Sequence, residues 1–271
     1  MTANVTPNPP RYRSTEERLA VERLTPDPWR EDTVVSPLAD HPQAAETPHH
    51  RIFDRRWFRR LEQWVGSFSK IGDRVFFPPD QFAWAETLEV NWSVIRAELD
   101  SVLQTAEDIP YFQDVSPRQK RIAGDKLWKT YYFYALGEVV EANCDRCPQT
   151  WALIKAIPGL KVAFFSILSP GKHIPEHRGK YKGLLRYHLA LKVPQPAEKC
   201  RIRVHDWVTT WEEGKSLIFD DTYYHEVWNE TAGDRVVLFL DLARPLRWPL
   251  SMMNALILQL AAKANIVKLD N

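Results

Sequence analysis

The stretch KVAFFSILSPGKHIPEHRGKYKGLLRYHLALKVP, residues 161–194, decides the fold. It contains two runs rich in strand-forming residues, 161–168 and 184–193, separated by Pro, Gly and charged residues. Similar runs follow at 201–204, 216–219 and 235–241. Short strands separated by turn residues in this way are typical of a β-sandwich or barrel. The chain is therefore expected to be mainly β after residue 160.

Helical spacing replaces the β pattern before that point. The segment after Phe82 predicts a helix, with Trp92, Ile95, Leu99 and Val102 on one face. CPQTWALIKAIPG, residues 147–159, predicts another, because proline stands near its start and glycine follows its end.

Two histidines and one arginine in separate strand-like segments indicate a metal site. His177 lies in HIPEHRG, residues 173–179, and His225 follows 48 positions later in FDDTYYHEVWNETAGDRVVLFLD, residues 219–241. Arg235 stands on an apolar strand, where a cation needs an anion to meet it. Two inward imidazoles can hold a divalent transition metal, and a deeper arginine can pair with a carboxylate. These are the parts of a non-haem iron oxygenase that uses 2-oxoglutarate.

Four sequence blocks carry a family resemblance. They are FSILSPGKHIPEHRG, GLLRYHLALKVP, TWEEGKSLIFDDTYYHEVWN and GDRVVLFLDLARP. In this order they resemble the catalytic domain of the aspartyl/asparaginyl β-hydroxylase family of iron and 2-oxoglutarate oxygenases. The resemblance covers about residues 130–246 and extends more weakly back to about residue 70. It implies a mainly β fold with flanking helices, the double-stranded β-helix or cupin-like jelly roll.

The resemblance also implies roles for individual residues. His177 and His225 would be the catalytic iron ligands, and His173 a neighbouring loop residue. The implied cofactors are Fe(II), the cosubstrate 2-oxoglutarate and O2. Four residues would hold the cosubstrate: Ser166 and Arg235 at its distal carboxylate, and Arg186 and His188 near its iron-chelating end.

The third protein ligand of the usual facial triad is missing from the motif. Gly179 stands two residues after His177, where most iron oxygenases have Asp or Glu. This agrees with the two-histidine pattern of the resembled family, and we expect water at that position. The same vacancy resembles the halide site of iron halogenases, so the ligand count alone leaves chlorination open. Asp220 and Asp221 are expected to shape the turn before His225 and to orient it.

Two apolar residues point to a lipid substrate. Better-known members of the resembled family hydroxylate the β-carbon of Asp or Asn, whereas bacterial relatives hydroxylate carbon 2 of a lipid fatty acyl chain. Phe164 and Leu184 occupy substrate-binding positions where the peptide hydroxylases carry basic side chains. An acyl chain fits there, while a carboxylate would be left unpaired.

Two alternatives remain beside that substrate. A β-hydroxylase of peptidyl or free Asp or Asn would need another basic anchor, from Arg178, Lys180 or Lys182. A non-catalytic ligand-binding jelly roll would require the histidine pair to be inert.

The domain organisation follows from changes in composition. We predict a flexible arm over residues 1–50, a basic amphipathic helix over 51–69, and an oxygenase domain over 70–246 with its β core at about 160–246. A C-terminal amphipathic helix is predicted over 247–271. The first helix either packs on the domain or contacts an anionic membrane surface, which suits its Trp and Arg residues.

Charge and cysteine content exclude several classes of protein. The 36 Lys and Arg residues nearly balance 35 Asp and Glu, which argues against a nucleic-acid partner. Three cysteines argue against a disulfide framework, and the pair at 144 and 147 has too few companions for structural zinc. No signal or membrane-spanning segment is evident, so we expect a cytoplasmic protein that can rest on the inner face of the membrane.

Overall fold

A computed structural model of the chain describes residues 55–116 and 120–263. The arm predicted over 1–50 lies outside these residues. The helices are α1 (Arg55–Ser67), α2 (Ala83–Val90), α3 (Trp92–Leu103), α4 (Phe112–Val115), α5 (Lys120–Ala123), α6 (Glu141–Arg146), α7 (Pro148–Ile154) and α8 (Leu250–Lys263). The strands are β1 (Phe76–Phe77), β2 (Trp128–Ala135), β3 (Glu138–Val139), β4 (Leu160–Leu168), β5 (His173–His177), β6 (Leu184–Lys192), β7 (Cys200–Val204), β8 (Trp207–Thr210), β9 (Ser216–Phe219), β10 (His225–Asn229) and β11 (Arg235–Ala243).

The strands form two antiparallel sheets. The larger has the order β1-β9-β6-β11-β4-β2-β3 and the smaller the order β5-β10-β7-β8. Strands β4, β6, β9 and β11 therefore face β5, β7, β8 and β10 across the core. Eight antiparallel strands divided between two sheets in this order form a jelly roll. The predicted double-stranded β-helix with flanking helices is confirmed.

Alternation along the strands divides the core into two layers. On β11, Val237 and Phe239 point between the sheets, while Val236 and Leu238 point toward the helices. Ile95 of α3 belongs to the second layer. Each fully buried aliphatic side chain of this kind contributes about 1.5–3 kcal/mol. The larger sheet is buried on both faces, which explains its nearly continuous apolar sequence.

The structure differs from the predicted elements in a divided helix and in several strands that were not predicted. The helix expected after Phe82 is divided at Asn91, whose side-chain amide donates to the Thr87 carbonyl at 2.8 Å. Strands β5 and β10 were not among the predicted runs. Both have half-exposed residues, so neither shows a continuous apolar pattern.

Helices are present in both terminal ranges where they were predicted. α1 lies within residues 51–69, and α8 lies within residues 247–271. Across the described ranges 55–116 and 120–263, no helix is long and apolar enough to cross a bilayer.

Candidate active site

The two predicted metal ligands are direct neighbours. His177 ends β5, His225 begins β10, and the two residues are paired in the antiparallel register of the smaller sheet. Their ring centroids lie 4.2 Å apart with the planes at 55°. Residues separated by 48 positions in the chain thus bring two imidazoles to one point.

Backbone carbonyls orient both rings. The Nδ1 atom of His177 contacts the Pro175 carbonyl at 2.8 Å, and Nδ1 of His225 contacts the Tyr223 carbonyl at 2.9 Å. A proton on each Nδ1 places the lone pair on Nε2, which is the tautomer that binds a metal. Burial also holds the pKa of His225 well below its usual value, aided by the neighbouring His177. Asp220 shapes the turn before His225, since its carboxylate accepts the Thr222 backbone N–H at 3.0 Å.

Arg235 is a buried cation without an acidic partner among the described residues. Only 2% of it is exposed, and its Nε and Nη1 atoms make no hydrogen bond within the described part of the chain. Its guanidinium lies 4.6 Å from the ring centroid of Trp211. Burial lowers its pKa to about 10, so it remains charged at neutral pH. A group of this kind requires an anion from outside the residues that the structure describes.

A series of ring contacts joins this arginine to the histidine pair. The ring centroid of Phe219 lies 5.7 Å from that of His225, and the ring centroid of His188 lies 5.3 Å from that of Phe219. Trp211 donates its indole N–H to Nδ1 of His188 at 3.4 Å, so the proton of His188 is on Nε2. That Nε2 has no hydrogen-bond partner among the residues described. Burial and the adjacent Arg235 lower the pKa of His188 far below its usual value, leaving a neutral donor.

Ser166 lies on the larger sheet beside β11. It pairs with Val237 in the register, two positions from Arg235. Its hydroxyl accepts the indole N–H of Trp128 at 3.0 Å, which leaves its own O–H to donate. The structure thus brings the donors of Ser166 and Arg235 to neighbouring strands of one sheet.

Arg186 is already paired. It bridges Asp221 at 2.9 Å and Asp241 at 3.0 Å, and it lies over the ring of Phe239. The buried Asp221 and the partly buried Asp241 share this one arginine, and burial raises the pKa of Asp221 to about 6. The predicted role of Arg186 near the chelating end of the cosubstrate would therefore be performed by a guanidinium that is already paired with two carboxylates.

Gly179 occupies the space where a third carboxylate ligand would begin. A Cβ atom at this position would lie 2.4 Å from the carboxyl carbon of Asp221. The Gly179 N–H also donates to the Asp221 carbonyl at 2.7 Å. A side chain at position 179 is thus incompatible with this packing, which gives a physical reason for the glycine.

The predicted substrate-binding residues lie at different depths. Phe164 is buried between two other rings, with its centroid 4.3 Å from Phe239 and 4.7 Å from Tyr132. Leu184 begins β6 and is only partly buried. Phe164 thus belongs to the aromatic interior of the barrel, and Leu184 to its edge.

The loop after His177 offers less free positive charge than its sequence indicates. Arg178 forms an ion pair with Glu62 of α1. Lys182 is buried, at 2.8 Å from Asp73 and 3.2 Å from Asp220. Asp220 is also paired with a second buried cation, Arg244, and it accepts from the Thr222 backbone N–H at 3.0 Å. Lys180 is exposed.

Neighbouring candidates are engaged elsewhere. His173 contacts Glu226 at 2.7 Å and stacks on Trp228, and Glu176 is paired with Arg203 at 2.7 Å. All three cysteines are buried and free. Burial raises the pKa of the thiols at positions 144 and 147 to about 11 and about 12, so neither is a thiolate at neutral pH.

The family profile described as Aspartyl/Asparaginyl beta-hydroxylase matches residues 89–245, more than half of the chain. The chain belongs to this family. The hydroxylase shares 44% identity with an ornithine lipid ester-linked acyl 2-hydroxylase of Rhizobium tropici over 222 residues, which are 80% of this chain and 79% of the relative.

Another relative is much longer than this hydroxylase. Aspartyl/asparaginyl beta-hydroxylase of Homo sapiens is 35% identical over 165 residues, covering 59% of this chain and 21% of the human protein. This chain therefore matches about one fifth of that relative's length. Among solved structures, a prolyl-4-hydroxylase of Pseudomonas putida aligns with a TM-score of 0.37 and 17% identity, over 56% of this chain and 87% of its own.

His177 and His225 are the candidate metal ligands of this site. Across the described ranges 55–116 and 120–263, no group of three or more His, Cys, Asp or Glu residues could hold an ion. The paired imidazoles of His177 and His225, together with a buried arginine that has no acidic partner among the described residues, fit Fe(II) with a chelating dicarboxylate, which would complete the coordination and neutralise the cation.

Trp211 and Asp241 were not identified from the sequence. Trp211 supports both Arg235 and His188, and Asp241 balances Arg186. An acidic residue inside the apolar run VVLFLD was the available signal, because a buried carboxylate requires a cation. Trp211 lies in a turn-rich segment and gave no signal of its own.

Proposed function

We propose that this chain is an Fe(II)- and 2-oxoglutarate-dependent dioxygenase that hydroxylates carbon 2 of a lipid fatty acyl chain at an anionic membrane surface. The observation that carries the proposal is Arg235, a buried charged arginine whose Nε and Nη1 have no partner among the described residues, and which is linked to His225 through Trp211, His188 and Phe219. An iron-chelating keto acid with a second carboxylate satisfies both features.

Each residue of the site has a defined task in this proposal. His177 and His225 hold the iron through Nε2, and Arg235 with Ser166 binds the distal carboxylate of 2-oxoglutarate. The Nε2–H of His188 donates to the same cosubstrate. When bound, the iron supplies activation of O2, with 2-oxoglutarate oxidised to succinate and CO2 while the substrate C–H becomes C–OH.

The charge balance of the site favours an acyl chain over an aspartate side chain. Phe164 and Phe239 contribute apolar surface, and Arg186 is already paired with two carboxylates. Two of the three loop cations considered for a peptide substrate, Arg178 and Lys182, are likewise paired with acids of this chain. An incoming carboxylate would have to break such a pair or use the exposed Lys180, whereas an acyl chain needs no cation. The 44% identical relative is itself described as acting on a lipid acyl chain.

The test is turnover of ornithine lipid by the purified chain loaded with Fe(II) and 2-oxoglutarate. Mass spectrometry should find one added oxygen at carbon 2 of an acyl chain, with an equal amount of succinate. His225→Ala should reduce both products at least 1000-fold, because one of two protein ligands is lost. His173→Ala is the matched control, since His173 lies on the same strand as His177 but is paired with Glu226. If Asp-containing peptides are oxidised and lipids are not, the peptide alternative replaces this substrate. If neither product forms, the reaction class is wrong.

A further inference from the structure

The outer face of α8 is apolar. Leu250, Asn254 and Leu258 are buried at a spacing of four residues, so one narrow stripe of the helix packs on the protein. The opposite side carries exposed apolar residues, and Trp248 stands just before the helix. The exposed fractions are 74% for Trp248, 67% for Met252, 50% for Met253, 56% for Leu256, 42% for Ile257 and 56% for Leu260. A contiguous patch of this kind marks an interaction surface.

α1 extends the same face. Its Val65 packs with Leu246 and Leu250 in a small separate cluster. The backbone continues this contact, since the Arg247 N–H donates to the Phe68 carbonyl at 2.8 Å. Trp64 of α1 is 45% exposed. We refer to the exposed residues Leu61, Trp64, Trp248, Met252, Met253, Leu256, Ile257 and Leu260 as the docking face.

Basic residues accompany the docking face. Arg60, Arg247 and Lys263 are exposed. Residues 247–263 include no acidic residue, and α1 has four arginines and one glutamate. That glutamate, Glu62, is engaged with Arg178. An apolar helix face accompanied by cations fits an anionic lipid surface. A second copy of the chain fits less well, because self-association would bring like charges together.

Both helices of the docking face hold the loop that leads out of the metal site. The side-chain amide of Asn254 donates to the Gly183 carbonyl at 3.0 Å, and the Tyr181 hydroxyl donates to Oδ1 of Asn254 at 2.7 Å. On the other side, Glu62 of α1 is paired with Arg178, the residue after His177. Residues 178–183 are thus fastened to α1 at one end and to α8 at the other.

We propose that the docking face binds an anionic phospholipid bilayer, and that residues 178–183 form the rim over which an acyl chain passes from the bilayer to the barrel. Both clauses deepen the proposed function: the first rests on its anionic membrane surface, and the second on its acyl substrate. The rim connects His177 to Leu184. An acyl chain that leaves the bilayer beside α8 therefore meets the edge of the barrel directly. The interaction is peripheral, with α8 lying along the surface.

The experiment is co-sedimentation of the purified full chain with phosphatidylcholine vesicles, with or without about 30% phosphatidylglycerol. We expect binding to the anionic vesicles to be at least tenfold tighter and to weaken as salt is raised, because screening acts on the exposed arginines. Leu256→Asp should reduce that binding at least tenfold, since it places a charge where the helix meets lipid. Val90→Asp is the matched control, because Val90 is 74% exposed at the end of α2, outside the docking face.

A second measurement separates this proposal from the proposed function. Lipid hydroxylation in detergent micelles should be equal for wild type and Leu256→Asp, whereas hydroxylation in vesicles should fall at least tenfold. Hydroxylation of vesicle lipid without vesicle binding, or equal binding by Leu256→Asp, would overturn the docking face and leave the enzyme assignment standing. Vesicle binding without any lipid product would support the docking face and overturn the lipid substrate. Sedimentation velocity identifies the remaining outcome: a dimer that Leu256→Asp dissociates would make this face an interface between copies and overturn the lipid partner.

Discussion

Arg235 is stabilised by an aromatic ring where most buried arginines have a carboxylate. Its guanidinium lies 4.6 Å from the centroid of Trp211, and two of its three nitrogens make no hydrogen bond with the described residues. A cation–π contact of this kind contributes about 0.5–2 kcal/mol, which is less than the cost of burying the charge. The ligand-free protein therefore retains an unfavourable charge at this position.

Replacing that charge should stabilise the ligand-free protein. We expect Arg235→Met to raise the free energy of unfolding by about 1–3 kcal/mol, because a similar volume is filled without an unpaired cation. The same change should remove the stabilisation given by 2-oxoglutarate with metal. Urea unfolding with and without both ligands measures the two effects. Arg203→Met is the control and should destabilise, since Arg203 is paired with Glu176 and Glu226. A less stable Arg235→Met would show that the charge is compensated.

The free energy of unfolding should depend on pH through the Asp221 carboxyl group. Burial raises its pKa from 3.8 to about 6, opposed by Arg186. Between those pH values the folded state keeps a proton that the unfolded state has released, so this group's contribution to stability falls as pH rises and the penalty is complete above about pH 6. Relative to wild type, Asp221→Asn should therefore gain about 2 kcal/mol in unfolding free energy between pH 4 and pH 7. Denaturant titrations at the two pH values give this difference.

At the level of elements, α7 obtains its N-terminal cap from another helix. The helix begins at Pro148, and its first backbone donors are satisfied by Glu98 of α3, at 2.9 Å from the Gln149 nitrogen and 2.8 Å from the Thr150 nitrogen. The Thr150 hydroxyl donates to the same carboxylate at 2.6 Å. One side chain thus both caps a helix and joins two elements that are 51 residues apart.

Removing this cap should weaken the packing of α3 against α7 and lower the free energy of unfolding. Glu98→Ala should cost about 1–3 kcal/mol of unfolding free energy, because it leaves two backbone N–H groups unsatisfied and removes a negative charge from a helix N-terminus. Thermal unfolding is a sufficient measurement. Glu107→Ala, an exposed change nearby, should stay within about 0.5 kcal/mol. Equal effects of the two substitutions would contradict the capping role.

The strands most visible in the sequence are those of the larger sheet. β4, β6 and β11 are buried on both faces, so their residues are apolar in continuous runs. β5 carries His173, Pro175 and His177, residues that no strand pattern favours, and its pairing with β10 is interrupted by a register shift. The strands that position the metal ligands are therefore the ones that local sequence predicts least well.

Across the whole molecule, the partners of charged side chains were harder to predict than the positions of the site residues. Spacing and resemblance placed His177, His225 and Arg235 in one barrel, because backbone geometry follows from the apolar pattern. The partners of Arg178 and Lys182 could not be found in this way, since Glu62 and Asp73 lie more than 100 residues earlier in the chain. Long-range ion pairs of this kind depend on how the terminal helix and its following loop pack, which periodicity does not encode.

The two halves of the candidate site belong to different sheets. His177 and His225 are on the smaller sheet, while Ser166, His188 and Arg235 are on the larger one. A cosubstrate that contacts both would hold the two sheets together. Its conversion to succinate, which is one carbon shorter and lacks the keto group, would remove that link in each cycle of the proposed reaction. The barrel would then be stiffest before turnover and loosest just after it, when the hydroxylated product must leave.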